Sequence, residues 1–210
     1  MEEELKKELL GYAKMMKLEG LVVGTSGNIS VRKGDVVAIK PSSVDYDTMS
    51  IDDIVLVDLE GKVIEGKRNP SSELKMHLAV YKSRANVGAV VHTHAKYASA
   101  LAILGISIPP VLDEVVNFFG GGIECSKYGM PGSTELAQNA VEALGERNGV
   151  LLSHHGALAC GKDLKAAFEN AQRLERVAEI FIIASTIGKP ETVPEESIEN
   201  EKDIFDMMNV

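Results

Sequence analysis

Apolar side chains at Leu5, Leu9, Tyr12 and Met16 recur at steps of four, three and four with charged residues between them, which is one stripe on a helix ending near Gly20. The period then shortens. Leu21–Val23, Ile29–Arg32 and Val36–Ile39 are brief apolar runs between Gly-, Ser- and Asp-containing turns, and Glu60-Gly61-Lys62 joins Ile54–Leu59 to Val63-Ile64. The first third is therefore expected to be mostly strand, with one hairpin. After Pro70 a helix is expected over 71–81, with Ser71 and Ser72 at its start and Leu74, Leu78 and Tyr81 on its stripe. Val87–His92 predicts a buried strand, Tyr97–Leu104 a short helix, Ile106–Val111 an extended segment, and Gly120-Gly121-Gly122 a turn. A helix beginning near Ser133-Thr134 is followed by strands at Val150–Ser153 and Ala157–Cys160, and a long helix runs from Asp163 to about Ile187, closed by Gly188 and Pro190. Strands and helices interleaved on this scale predict a layered α/β domain over 1–188. Residues 189–210, with Glu191, Glu195, Glu196, Glu199 and Glu201, read as an acidic tail, a mobile segment or a lid.

A chain of 210 residues that is 45% hydrophobic with a mean hydropathy of +0.01 suits one compact domain with a sizeable core. A net charge of −9 and a pI near 5.1 leave no basic stripe for nucleic acid. Apolar runs such as Val87–Val91 and Ile180–Ala184 are too short for a bilayer, and Met1-Glu2-Glu3-Glu4 has the wrong charge for a signal peptide, so no membrane partner and a cytoplasmic location are expected. Cys125 and Cys160 form no CxxC pair and are expected as buried, reduced thiols.

Four of the five histidines fall in two pairs, His92-Thr93-His94 and His154-His155, each where an apolar strand runs out. Residues i and i+2 of a strand share a face, so His92 and His94 can converge on one ion at imidazole–zinc distances of about 2.0–2.1 Å. A third imidazole can come from His154 or His155, and Gly156 lets the backbone turn beside it. Three imidazoles leave a displaceable fourth position, the mark of a catalytic rather than a structural zinc. Glu73, in the first turn of its helix, is the best-placed carboxylate for a base, although acidic residues at that point often serve the helix dipole alone. His77, one turn on, reads as a packed or supporting histidine rather than a ligand. Three small polar clusters, Gly24-Thr25-Ser26-Gly27-Asn28, Pro41-Ser42-Ser43 and Pro70-Ser71-Ser72, offer hydroxyls and backbone N–H groups to an anion without any lysine or arginine, although such clusters are commonly ordinary turns.

Five segments, Thr25-Ser26-Gly27-Asn28-Ile29-Ser30, Pro41-Ser42-Ser43, Pro70-Ser71-Ser72-Glu73, Val91-His92-Thr93-His94 and Leu151-Leu152-Ser153-His154-His155-Gly156, resemble in order the motifs of the class II aldolases of the L-fuculose-1-phosphate aldolase type. Relatives of that type include ribulose-phosphate 4-epimerases and the adducin head domain. The resemblance runs from the first helix to about Ile187. It implies a three-layer α/β/α fold with a central, mostly antiparallel sheet, and a homotetramer with active sites between subunits. It implies zinc held by His92, His94 and His155, with Glu73 as the proton-moving group able to occupy the fourth position. His154 becomes a neighbour without an assigned role. The phosphate of a sugar phosphate is implied to rest on Asn28, Ser42, Ser43, Ser71 and Ser72, with Thr25 and Gly27 shaping the loop. The reaction implied is reversible cleavage of a ketose 1-phosphate, such as L-fuculose 1-phosphate, to dihydroxyacetone phosphate and a small aldehyde.

The chain departs from that pattern on the aldehyde side. The aldolases carry a tyrosine shortly after the Ile-Pro segment and another in the C-terminal tail, whereas Ile108-Pro109-Pro110 here precedes Asp113 and Glu114, and no tyrosine follows Tyr128. Either Asp113 or Glu114 replaces that donor, or the enzyme accepts simpler aldehydes than lactaldehyde. Competing readings are a pentulose-phosphate 4-epimerase, a methylthioribulose-phosphate dehydratase and a non-catalytic adducin-like module. Glu73 argues against the epimerases, which resemble this family but carry aspartate there, and the retained histidines argue against the module.

Overall fold

The computed structural model describes residues 2–208. Its first element, α1 (Glu2–Leu18), buries Leu5, Leu9, Ala13 and Met16, the stripe set by the helical period. Strands β1 (Asn28–Lys33), β2 (Val36–Ile39), β3 (Val55–Asp58) and β4 (Val63–Glu65) form a meander, and α2 (Leu74–Ser83) leads into β5 (Ala89–Thr93). Helices α3 (Lys96–Leu104) and α4 (Asp113–Phe119), the short β6 (Glu124–Cys125) and α5 (Thr134–Leu144) follow. The hairpin of β7 (Gly149–Leu152) and β8 (Gly156–Gly161) then feeds α6 (Leu164–Ile187) and α7 (Glu195–Met208). The later helices start where the sequence says they should: the Ser133 side chain accepts from Leu136 N–H at 3.0 Å and that of Asp163 from Ala166 N–H at 2.7 Å.

The described strands form one eight-stranded sheet in the order β4-β3-β2-β1-β5-β8-β7-β6. Every neighbouring pair is antiparallel except β6 with β7. Alternate side chains of each strand enter opposite layers. Ile29, Val31, Ala89 and Val91 pack under α1 and α6, while Val90, Val150, Leu152 and Leu158 pack under α2 and α5. A third apolar cluster joins α3, α4 and α6 around Phe119 and Leu151. The class is therefore α/β, in three layers.

Three expectations need correction. Leu21–Val23 is not a strand: Leu21 accepts one bond from His94 N–H at 3.1 Å and the segment crosses the sheet end without pairing along it. Residues 71–73 precede rather than begin their helix, because α2 starts at Leu74 with Glu73 as its N-cap residue. Cys125 is only half-buried, unlike Cys160; both thiols are free. The short α4 was not foreseen, since seven residues with three buried apolar side chains give no usable period.

Beyond Gly188 the acidic segment returns to the domain. Val193 N–H donates to the Pro110 carbonyl at 2.8 Å, and α7 lies against α4 with Phe205 buried at 6% exposure. Gly120 makes room for that ring, because a Cβ there would stand 2.7 Å from Phe205 Cε1. Residues 209 and 210 lie outside the described residues. Phe205→Ala is expected to cost about 3 kcal/mol where α7 docks and to release the helix, read as new protease cleavage after Gly188 while the N-terminal core stays protected.

Candidate active site

β5 is the strand from which the site is built. It lies between β1 and β8, pairing Asn28 with His92 on one side and Thr93 with Ala157 on the other. His92 is fully buried, and its Nδ1 donates to the Ala157 carbonyl at 2.9 Å, which turns Nε2 toward Glu73 and His94. His94, two residues on, brings its Nε2 to 3.0 Å from that of His92. His155, from the β7–β8 turn, sets its ring centroid 4.7 Å from His92 and 5.0 Å from His94. That approach explains Gly156. A Cβ there would lie 2.2 Å from the Thr93 carbonyl oxygen, so the glycine is needed for close passage and not for an unusual φ.

Glu73 closes the cluster from α2. Its Oε2 is 3.0 Å from His92 Nε2 and its Oε1 is 3.4 Å from His155 Nε2. One ligand atom from each of Glu73, His92, His94 and His155 lies within 4.8 Å of all the others. Bonds of about 2.0–2.1 Å to a tetrahedral ion place its ligand atoms roughly 3.3 Å apart, so the spacing suits a single divalent cation. Glu73 Oε1 is buried without a hydrogen-bond partner, which also fits an ion between these groups.

Electrostatics keep the donors available. Burial, followed by the neighbouring His92 and His155, pushes His94 down to about 4, and burial, then His92, lowers His155, so both rings are neutral at pH 7. Burial by itself raises the Glu73 carboxyl, but the contact with His92, the nearby His155 and the Asn28 amide outweigh it and hold Glu73 below the ordinary carboxylate range. His77 is fully buried behind the site and neutral, burial foremost and His92 next pushing it down to about 3.

The three polar clusters come together beside Glu73, His94 and His155. Pro41 and Pro70 form an antiparallel bridge, Ser42 N–H donates to Asn69 at 3.0 Å and Ser71 N–H to Lys40 at 3.1 Å. The resulting cavity of about 350 Å³ is lined by Thr25, Gly27 and Asn28, by Ser42 and Ser43, and by Ser71 and Ser72. Glu73, His94 and His155 stand at its inner end. Gly27 has φ 70°, and a Cβ there would meet Val22 Cγ1 at 2.4 Å. Ser43 also adopts a left-handed backbone, φ 57°.

Lys40 lines the same cavity, which corrects the expectation of an anion site without lysine or arginine. It is 1% exposed, and burial lowers its ammonium to about 8. Its Nζ makes only long bonds, 3.3 Å to the Thr25 carbonyl and 3.4 Å to that of Pro41, and lies 4.5 Å from the Tyr46 ring centroid. A lysine at the end of an apolar strand looks like solvent-facing punctuation; its place directly before Pro41-Ser42-Ser43 was the available signal. Ser26, from the first polar cluster, and Pro131 also line the cavity.

The remaining sequence candidates lie elsewhere. His154 adopts φ 56°, is exposed and turns its ring toward Tyr128, 6.2 Å away. Asp113 and Glu114 occupy the first turn of α4, where Glu114 pairs with Arg176, and neither lines the cavity.

Residues 7–182 match the family model described as Class II Aldolase and Adducin N-terminal domain. A 5-deoxy-D-ribulose 1-phosphate aldolase from Bacillus thuringiensis serovar kurstaki is 41% identical over 197 residues, covering 93% of this chain and 92% of that protein. An L-ribulose-5-phosphate 4-epimerase from Salmonella paratyphi B is 39% identical over 199 residues, covering 89% of this chain and 87% of the relative. A solved L-fuculose 1-phosphate aldolase superposes with a TM-score of 0.93 at 36% identity, covering 97% of this chain and 96% of that one.

Calorimetric titration with Zn²⁺ is expected to show one site per chain. His155→Ala and Gly156→Ala should both weaken it, by roughly tenfold or more, the second because its Cβ must displace the backbone that carries His94.

Proposed function

The chain belongs to the class II aldolase and adducin family, and from that membership we propose that it catalyses reversible, zinc-dependent aldol cleavage of a ketose 1-phosphate to dihydroxyacetone phosphate and a small aldehyde. One observation carries the reading: the buried Glu73 carboxylate stands against three convergent imidazoles at the inner end of a hydroxyl-lined cavity. The similarity to a 5-deoxy-D-ribulose 1-phosphate aldolase supports a 5-deoxypentulose 1-phosphate as substrate, beside L-fuculose 1-phosphate.

In this reading His92, His94 and His155 hold the metal, with Glu73 able to take the fourth position. When bound, zinc supplies a Lewis acid for the carbonyl beside the scissile bond. The bond between the third and fourth carbons breaks, the fourth carbon becomes the aldehyde as its hydroxyl passes its proton to a base on the aldehyde side, for which Asp113 and Glu114 of a neighbouring subunit are the candidates, and the electron pair stays with the third carbon. Glu73, ionised at rest, takes up a proton from water and delivers it to quench this pair, and removes it again in the synthetic direction. Its Oε1, which has no hydrogen-bond partner, is the oxygen that moves this proton.

Ser42, Ser43, Ser71 and Ser72, the amide of Asn28 and the loop shaped by Thr25 and Gly27 hold the phosphate, with Lys40 adding the positive charge that the serines lack. An ammonium this buried, with only two long bonds to carbonyls, is short of a counter-ion that a phosphate would supply. Asp113 or Glu114 would have to act across a subunit boundary, since neither reaches the cavity of its own chain. The exposed apolar side chains of Leu104, Met130 and Ile187 suit the homotetramer this reading includes. Among the described residues no helix is long and apolar enough to cross a membrane, in keeping with the cytoplasmic location we propose.

A panel of ketose 1-phosphates incubated with zinc-loaded protein is expected to release dihydroxyacetone phosphate, to stop on chelation, and to lose roughly 10²–10⁴-fold in Glu73→Gln while zinc stays bound. Zinc binding without cleavage, together with 4-epimerisation of L-ribulose 5-phosphate, would decide for the epimerase reading. The Lys40 ammonium is charged below its lowered value and neutral above it, so kcat/KM should fall as pH rises through about 8. In Lys40→Met, kcat/KM should already be low, mainly through KM, and this alkaline limb should vanish.

A further inference from the structure

Behind Glu73 runs a line of polar side chains of which the proposed reaction uses only the first, Asn28. Asn28 Nδ2 donates to Glu73 Oε2 at 3.0 Å, and Asn28 Oδ1 lies 2.5 Å from His77 Nε2. His77 Nδ1 lies 2.6 Å from Ser30 Oγ, which lies 2.7 Å from the Tyr81 hydroxyl. All five residues are buried, with His77 and Ser30 at 0% exposure, so solvent does not stand in for any of them.

The direction of every bond follows from one end. A carboxylate only accepts, so Asn28 must turn its NH₂ to Glu73 and its carbonyl to His77. His77 must then donate from Nε2. A neutral imidazole carries one proton, so its Nδ1 accepts from the Ser30 hydroxyl, and the Ser30 oxygen accepts from Tyr81. All four bonds point toward Glu73, the arrangement in which each polarises the next. Turning the Asn28 amide over would set two acceptor oxygens together at Glu73 and two N–H donors together at His77.

We propose that His77 is a positioning residue: through Asn28 it holds the Glu73 carboxylate so that Oε2 is engaged and Oε1 faces the substrate carbon. The proposal rests on the aldolase reading. A side chain that merely satisfied buried polar groups would affect stability alone, whereas this one sets the aim of the proton-moving group. Tyr81 and Ser30 serve to fix its tautomer.

The test compares zinc-loaded wild type, His77→Phe and His77→Gln in two assays. One is cleavage of a ketose 1-phosphate; the other is exchange of the carbon-bound proton of dihydroxyacetone phosphate in deuterium oxide, followed by NMR, which needs Glu73 but no aldehyde. His77→Phe is expected to lower kcat and exchange about 10–100-fold with zinc content and KM near wild type, and His77→Gln, which can donate to Asn28, to recover part of the loss. A rise in KM with kcat and exchange unchanged overturns the proposal, as does a glutamine variant no better than phenylalanine. Should the variants fail to fold, ¹⁵N NMR of the wild type decides: a proton on His77 Nε2 supports the chain of bonds, and one on Nδ1 overturns it. A wild type that neither cleaves nor exchanges defeats the aldolase reading itself, an outcome distinct from a wild type that does both while the variants keep pace.

Discussion

The register of β5 against its two neighbours is the constraint on which the site depends. Asn28 stands opposite His92 on one side, and Leu158 and Ala157 stand opposite His92 and Thr93 on the other. With this pairing the Ala157 carbonyl meets His92 Nδ1, the Asn28 amide meets Glu73, and the Thr93 carbonyl passes over Gly156. A slip of one residue would turn His92 to the other face of the sheet and put Val91, now packed under α1, at the site. The apolar layers oppose that slip, because every buried side chain of the strand would change sides with it.

Such a register also concentrates polarity where a fold can least tolerate it. Glu73, Asn28, His77, Ser30 and Lys40 are all buried in or beside the centre of the sheet. Each unpartnered group in such a place costs about 1–3 kcal/mol, more if charged, so the cluster stands only because nearly every atom has a partner. The exceptions are informative: Glu73 Oε1 lacks a bond and Lys40 Nζ has only long ones. Both residues line the cavity, Glu73 beside the imidazoles and Lys40 beside the serines, which suits the sugar phosphate we propose.

The two ends of the site differ in how they are built. The groups proposed to hold the metal and the anion come from β1, β5, the β7–β8 turn, the start of α2 and the short bridge of Pro41 with Pro70, all at one end of the central strands. The groups expected to handle the aldehyde are not gathered in this chain, since Asp113 and Glu114 sit on α4 with α7 packed alongside. One scaffold for activating one half of a substrate, with a separate region choosing the other half, as we propose, suits a family that includes both aldolases and epimerases.

Much of this was legible in the residues. The stripes of α1 and α6, the strand β5, the spacing of His92 and His94 and the capping of α5 by Ser133 are local matters, settled by period, by side-chain alternation and by one hydroxyl, and they appear where the chain predicts them. The five motifs named the groups from which the site is built. What the sequence could not supply was distance between residues far apart in the chain. Only the folded sheet decides that Lys40 enters the cavity, that His77 is bound to Asn28 across 49 residues, that Gly156 is required by a carbonyl from another strand, and that Phe205 finds a seat beside Gly120. Periodicity reports which face a side chain takes on its own element; which elements meet at that face is set by strand register and layer packing.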